Sequence, residues 1–325
     1  MRARRGWTTG ASYALVVLLL LTLNFALPRA LPGEPIQALG DPRSATYVGD
    51  AGRREAVARY YGLDRPVGEQ YGRYVSGLVR GDLGTSIRYN APVTEVIGRR
   101  LGWTLLLVGA ALILATAGGL LAGVQSGWRR GRAADRRLLA VFLALDGIPV
   151  FFLASVALYV FAVTLGWFPL SGARTPFATG GPLSAAVDAA RHLVLPATVL
   201  ALQFGTLQYL VMRGSMVAEL GSDHLLLGRA KGLDDRTLKY RYAARSALLP
   251  AATVVALQVG VAISAAIFVE TVFAYPGLGR LMFEAIGDRD YPLLQGCFLV
   301  ITVLVLGANL LADASYRRLD PRTSA

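Results

Sequence analysis

The sequence predicts an all-α integral membrane protein with six transmembrane helices, and three observations carry that prediction. First, 54% of the 325 residues are apolar although the net charge is +12. Second, the apolar residues collect into runs nearly free of charge, each close to the ~20 residues that cross the hydrocarbon of a bilayer. Third, basic residues crowd into the short segments between alternate runs, as they do in cytoplasmic loops. The arginines are scattered between spans and form no single face, so topology accounts for the charge and no nucleic-acid partner is expected.

Taken in order, Arg2, Arg4 and Arg5 precede an apolar run from Ala11 to Leu27. Leu27-Pro28-Arg29 follows directly, with no small-x-small cleavage site, so the run reads as an uncleaved first span. Residues 1–31 form the tail and first helix, 32–100 an extracytoplasmic segment, and 101–325 a five-helix core. In the extracytoplasmic segment Pro66–Arg80 places Val67, Tyr71, Tyr74, Val75 and Leu78 on one helical face, with Asp64 before it and Gly81 after. Asn90 and Pro92 open an amphipathic turn through Val93, Val96 and Ile97 into the second span. These helices either lie in the membrane interface or form a platform for another protein.

The remaining spans are Trp103–Val124, Leu138–Leu170 broken only by Asp146, Leu193–Met212, Leu248–Val269 and Tyr291–Ala312. Both termini are expected inside. That places Arg129, Arg130, Arg132, Arg136, Arg137, the basic 213–245 loop and Arg317, Arg318 and Arg322 in the cytoplasm. Gly119, Gly123 and Gly127 are at the small-xxx-small spacing that lets helices approach closely. Pro149, Pro196, Pro250 and Pro292 lie in or at the ends of spans and permit bending. Glu270 to Arg280 reads as a tight outer turn, its Pro276 and glycines leading to a short helix through Ile286.

Chemistry is sparse. Cys297 has no partner cysteine and reads as a small packing residue. His192 and His224 are far apart, so no metal site is expected. No nucleophile–base pair or carboxylate dyad is present, and Gly228-Arg229-Ala230-Lys231-Gly232 lacks both the spacing and the Ser/Thr of a Walker loop. The chain is therefore expected to hydrolyse no ATP and to bind no cofactor. Two acids fall inside apolar runs, Asp146 and Glu270. Each either pairs with a neighbouring helix or backbone group, or lines a pathway and meets a cationic group.

The stretch that organises the second half is Arg213–Pro250. Ser222 or Asp223 can cap a short helix in which Leu226, Ala230 and Leu233 fall at i, i+4 and i+7. Gly232 permits a sharp turn, and Asp234 and Asp235 suit the positive end of a second helix. That helix carries Arg236, Lys239, Arg241 and Arg245 into the membrane. Two short helices meeting at a glycine, one with an apolar stripe, make a knob for a cleft on another protein.

Arg229-Ala230-Lys231-Gly232-Leu233, followed at a fixed distance by Ala247-Leu248-Leu249-Pro250, resembles the ATPase-docking loop of ABC importer permeases. Its long glycine-to-proline gap is similar to the version in the dipeptide, oligopeptide and nickel transport family. Asn24-Phe25, Leu31-Pro32-Gly33, Gly81-Asp82-Leu83-Gly84-Thr85-Ser86, Arg289-Asp290-Tyr291-Pro292, Asn309, Asp313, Tyr316 and Leu319-Asp320-Pro321-Arg322 extend the resemblance along nearly the whole chain. The resemblance implies a type I ABC importer permease fold with a helical insertion after the first helix, in a bacterial inner membrane.

It also implies the partners: a second homologous permease, two cytosolic ATPase subunits that bind ATP and Mg, and an extracytoplasmic substrate-binding protein that delivers peptides, nickel or other small solutes. By the same resemblance the coupling residues are Asp223, His224, Leu226, Arg229, Ala230, Lys231, Gly232, Leu233 and Arg236. Asp146, Glu270, Phe273 and Asn309 are the candidates for the translocation pathway or gate. The sequence departs from the family at His224–Gly228, where a more polar string is usual, which implies a more apolar cleft on its ATPase. The rival reading is an ion-coupled secondary transporter or channel that uses Asp146 and Glu270 and can dispense with the 213–250 loop.

Overall fold

The computed structural model describes residues 17–30, 47–177 and 179–319, with side chains described as far as residue 312. Arg2, Arg4 and Arg5, the start of the first span, Leu31-Pro32-Gly33, Asp320–Arg322 and the side chains of Asp313 and Tyr316 lie outside the described residues. Within them the chain is helical, and the one extended pairing is a single bridge between Thr85 and Pro92.

The helices are α1 (Val17–Ala30), α2 (Ala51–Tyr61), α3 (Val67–Val79), α4 (Val93–Trp128), α5 (Ala133–Asp146), α6 (Val150–Thr164), α7 (Pro182–Glu219), α8 (Asp223–Ala230), α9 (Asp235–Val272), α10 (Leu278–Gly287) and α11 (Tyr291–Leu319). By length and composition α4, α7, α9 and the Tyr291–Ala312 part of α11 can each cross a membrane, and α5 with α6 makes a fifth span if the bent pair counts as one.

The expected continuous run Leu138–Leu170 is not one helix: α5 and α6 meet at 103°. The cause is local. Pro149 lacks an amide hydrogen and disfavours helical backbone at the residue before it, so α5 stops at Asp146 and Pro149 caps α6 in extended geometry. Pro196 and Pro250, by contrast, are accommodated inside α7 and α9.

The chain divides into two compact units. The first runs through Gly102 and adds Arg280–Val303. Here the aromatic face of α3 is not free: it packs on α1, with Tyr71 edge-on to Phe25 at 5.1 Å and its hydroxyl 2.9 Å from Thr22 Oγ1. Asn24 Nδ2 donates to Tyr74 Oη at 3.0 Å and to the carbonyl of Gln295 at 3.1 Å. Val67, counted on the same face from sequence, stays exposed. Pro66 stands at the N-cap position of α3 without a side-chain cap.

In the same unit buried Asp290 draws two distant stretches together. Its Oδ2 accepts from Ser86 Oγ and from the Arg88 amide, and its Oδ1 accepts from the Leu293 amide at the start of α11. Burial raises the Asp290 carboxyl above its ordinary range against these hydrogen bonds.

The second unit is Trp103–Gly279 with the chain from Leu304 onward. Within it α4 and α7 approach closely. A Cβ at Gly119 would lie 2.7 Å from the Gly205 carbonyl, one at Gly123 2.7 Å from Met212 Cβ, and one at Gly127 2.5 Å from Met216 Cβ. The three glycines thus let the two helices close face to face, as their spacing predicts. On the other side of α7, Gln208 Nε2 donates to Gln258 Oε1 at 2.6 Å and Gln258 Nε2 to the Phe204 carbonyl at 3.1 Å, tying α7 to α9.

Candidate functional site

The basic loop after α7 has a defined shape because each of its turns is locally encoded. α8 begins after Ser222, whose hydroxyl does not cap the helix but donates to the Glu219 carbonyl at 2.8 Å. It ends where Gly232 adopts φ +76°, with the Leu233 amide bonded back to the Gly228 carbonyl at 3.1 Å. That is the bond pattern of a glycine-terminated helix, and no side chain surrounds Gly232, so its requirement is conformational. Asp234 then caps α9, accepting from the Thr237 amide at 3.2 Å, and the hydrogen bonds of Thr237 hold its carboxyl below the usual range.

The face of α8 that packs inward is offset from the predicted stripe. Leu225 and Gly228 are buried, and with Leu238 they enter a core made of Val124, Met212 and Met216 at the ends of α4 and α7. Gly228 lets Leu238 pack close, since a Cβ would lie 2.6 Å from Leu238 Cδ2. Leu233 turns inward with them, while Leu226 and Ala230 face outward beside Leu227. Leu226 and Leu227 are 53% and 56% exposed, with Asp223, Arg229 and Lys231 around them. Full burial of leucines such as Leu225 and Leu238 contributes about 1.5–3 kcal/mol each, so the inward face anchors the knob and leaves the outward face available. His224 Nε2 lies 3.3 Å from Glu219 Oε2 at the rim. Arg236 is exposed on the first turn of α9.

Beneath the loop stands a buried clamp that the sequence reading did not single out. Asp135 accepts two bonds from Arg213, Nε to Oδ1 at 2.7 Å and Nη2 to Oδ2 at 2.9 Å. It also accepts from Ser126 Oγ and from the Gly131 amide at 2.8 Å. Ser126 Oγ is in turn 2.7 Å from Tyr209 Oη, and the Tyr209 ring stacks on Phe142 at 4.2 Å. One carboxylate therefore joins α4, α5 and α7 at the point where the loop leaves α7. The available signal was Asp135 itself, the one acid within the basic run 129–137.

The four pathway candidates do not form a single cluster. Asp146 is exposed at the C-terminal end of α5, beside the bend. Glu270 is fully buried: Oε1 accepts from Thr104 Oγ1 at 2.6 Å and Oε2 from the Gly279 amide at 2.7 Å. Thr104 Oγ1 also accepts from the Leu278 amide at 2.8 Å, so Glu270 and Thr104 together hold the first turn of α10. A Cβ at Gly277 would overlap the Glu270 carboxylate. Phe273 is buried in that turn and its carbonyl accepts from the Gly172 amide at 3.0 Å. Asn309 lies elsewhere, its Oδ1 3.0 Å from where a Cβ at Gly260 would stand. Of the two readings offered for Glu270, pairing with a neighbouring helix and backbone describes its geometry.

Comparison with known proteins places the chain as follows. Residues 115–325 match the family described as binding-protein-dependent transport system inner membrane component. The chain is 36% identical over 340 residues to a dipeptide transport system permease protein of Alkalihalophilus pseudofirmus, covering 96% of this chain and 98% of that one. It is 34% identical over 323 residues to the dipeptide transport system permease protein of Escherichia coli K12, covering 92% of each. Among solved structures it resembles a chain of the MetNI methionine ABC transporter in inward-facing conformations, with a TM-score of 0.55 at 16% identity, over 70% of this chain and 97% of that one.

Proposed function

Since the chain belongs to the family of binding-protein-dependent transport system inner membrane components and is a permease subunit of an ABC importer, we propose that it forms half of a translocation pathway for peptides. The substrate class follows the names of its relatives, which are dipeptide and oligopeptide permeases. A second, homologous permease completes the pathway, and a substrate-binding protein delivers the peptide on the outer side. Six spans with both termini in the cytoplasm put the 213–250 loop at the inner surface and the 32–100 insertion outside.

Energy enters through the loop. The chain has no phosphate-binding motif of its own, so two cytosolic ATPase subunits bind ATP and Mg and move when they close. The observation that carries the reading is the two-sided knob of α8. Leu225 and Leu233 pin it to the ends of α4, α7 and α9, while Leu226, Leu227 and Ala230 are presented outward. A short helix held on one side and wedged in a cleft on the other transmits displacement to the membrane helices. Asp223, His224, Arg229, Lys231 and Arg236 ring that apolar tip and set its partner.

The test is Leu226→Asp in the assembled transporter. Because Leu226 is exposed, the variant is expected to fold and insert normally, yet to lose peptide-stimulated ATP hydrolysis and uptake together. Leu233→Asp is a poorer choice, since it would also damage the core. Normal uptake by Leu226→Asp would remove the docking role from α8.

A further inference from the structure

Two features of the second unit meet at one residue. The first is a basic recess of about 660 Å³ where α4 ends and α9 begins. Arg129, Arg132, Arg236 and Lys239 line it, with Asp235 as the one acid of its wall. Among the described residues none of these four cations enters an ion pair. Lys239 Nζ donates to a neutral group, Gln125 Oε1, at 2.9 Å. The second feature is an almost wholly apolar groove of about 690 Å³, running along α4 from Leu112 to Val124 and along α9 from Tyr240 to Val259. Ile113 and Leu121 stand 71% and 63% exposed in it. Tyr240 lines both the recess and the groove, and Trp128 lines the recess.

We propose that recess and groove together bind one anionic phospholipid. Arg129, Arg132 and Lys239 hold the headgroup phosphate, Tyr240 and Trp128 mark the interface, and an acyl chain lies along α4 and α9. The dimensions agree. The helix from Leu112 to Val124 rises about 18 Å, close to one leaflet of a ~30 Å hydrocarbon core. Arginine forks suit phosphate oxygens, and basic recesses between membrane helices hold anionic headgroups. Charge selects this occupant over a second copy of the chain, which at +12 would bring more positive charge to a recess that is already cationic. The proposal rests on the membrane placement of the chain; the recess shares Arg236 with the docking reading, so the test varies only Arg129, Arg132, Lys239 and Leu121, which that reading does not use.

The test titrates the assembled, delipidated transporter with a fluorescent phosphatidylglycerol. Saturable binding is expected, displaced by unlabelled phosphatidylglycerol and not by phosphatidylcholine or inorganic phosphate. Arg129→Gln/Arg132→Gln/Lys239→Gln should weaken it about a hundredfold. Leu121→Trp, which fills the groove and leaves every cation in place, should weaken it as well, and keeps the test available should the triple variant fail to fold. Equal displacement by phosphatidylcholine would mean a general apolar surface. Displacement by millimolar phosphate would mean a phosphate site alone. Binding to the isolated chain that vanishes in the assembled transporter would make the groove a permease interface. Each of these results overturns the proposal, as does an unchanged affinity in both variants.

Discussion

Removing the carboxylate charge of Asp135 should loosen the cytoplasmic ends of three helices at once. Asp135→Asn keeps the shape but turns an NH2 toward one of its donors, Arg213 Nη2 or the Gly131 amide. Hydrogen bonds to a charged group are each worth roughly 1.5–3 kcal/mol, and breaking a buried ion pair from one side costs about 3–5 kcal/mol in total. Asp135 is 2% exposed, so solvent cannot substitute for the lost partner. The Arg213 guanidinium, 24% exposed, can turn part-way to water, which places the expected loss near the lower figure, about 3 kcal/mol. The double variant Asp135→Leu/Arg213→Met removes both charges and should recover most of that loss. The assay is a double-mutant cycle on the unfolding of the purified chain in detergent, followed by the α8 coupling measurements on each variant. A coupling energy below about 0.5 kcal/mol, the range of an exposed pair, would refute the clamp.

Other outcomes follow from the same geometry. Gly123→Leu should separate α4 from α7 and destabilise by about 1–3 kcal/mol, read as a lowered Tm, whereas Gly109→Leu on the same helix meets no neighbour within 4 Å and should cost little. Glu270→Ala should leave the Gly279 amide and Thr104 hydroxyl unpaired and cost about 2–4 kcal/mol, visible as faster proteolysis of the 273–280 turn. Burial, reinforced by the Glu270 carboxylate, pushes the Tyr275 phenol up to about 12. Because this value lies above that of the unfolded chain, the associated stability is present below pH ~10 and lost as pH rises toward about 12. Tyr275 Oη has no hydrogen-bond partner among the described residues. Tyr275→Phe should therefore match or exceed the parent at pH 7 and show less alkaline destabilisation in a pH series of thermal melts.

Much of the site was legible because it is local. The glycine turn at Gly232, the Asp234 cap and the short helix before them are each encoded by a few adjacent residues whose backbone preferences do not depend on distant packing. The glycine triplet of α4 was equally readable, since helical spacing alone puts Gly119, Gly123 and Gly127 on one face. The clamp was not legible, because Ser126, Asp135, Tyr209 and Arg213 come from three helices and nothing in their spacing pairs them. The orientation of α8 was misread for a related reason. Leu225, Leu226 and Leu227 are chemically equal, and which of them goes inside depends on where Met212, Met216 and Leu238 stand.

The sequence by itself determined that the molecule is a helical membrane protein, through apolar runs at bilayer length with charge sorted between them, and the resemblance of its basic loop to that of ABC permeases pointed to the family. Only the tertiary structure decided that Glu270 holds a turn and that the inward face of the loop begins at Leu225. Those are decisions between alternatives of nearly equal local energy. They are settled by which buried donors, acceptors and methyl groups come into reach when helices far apart in sequence pack together.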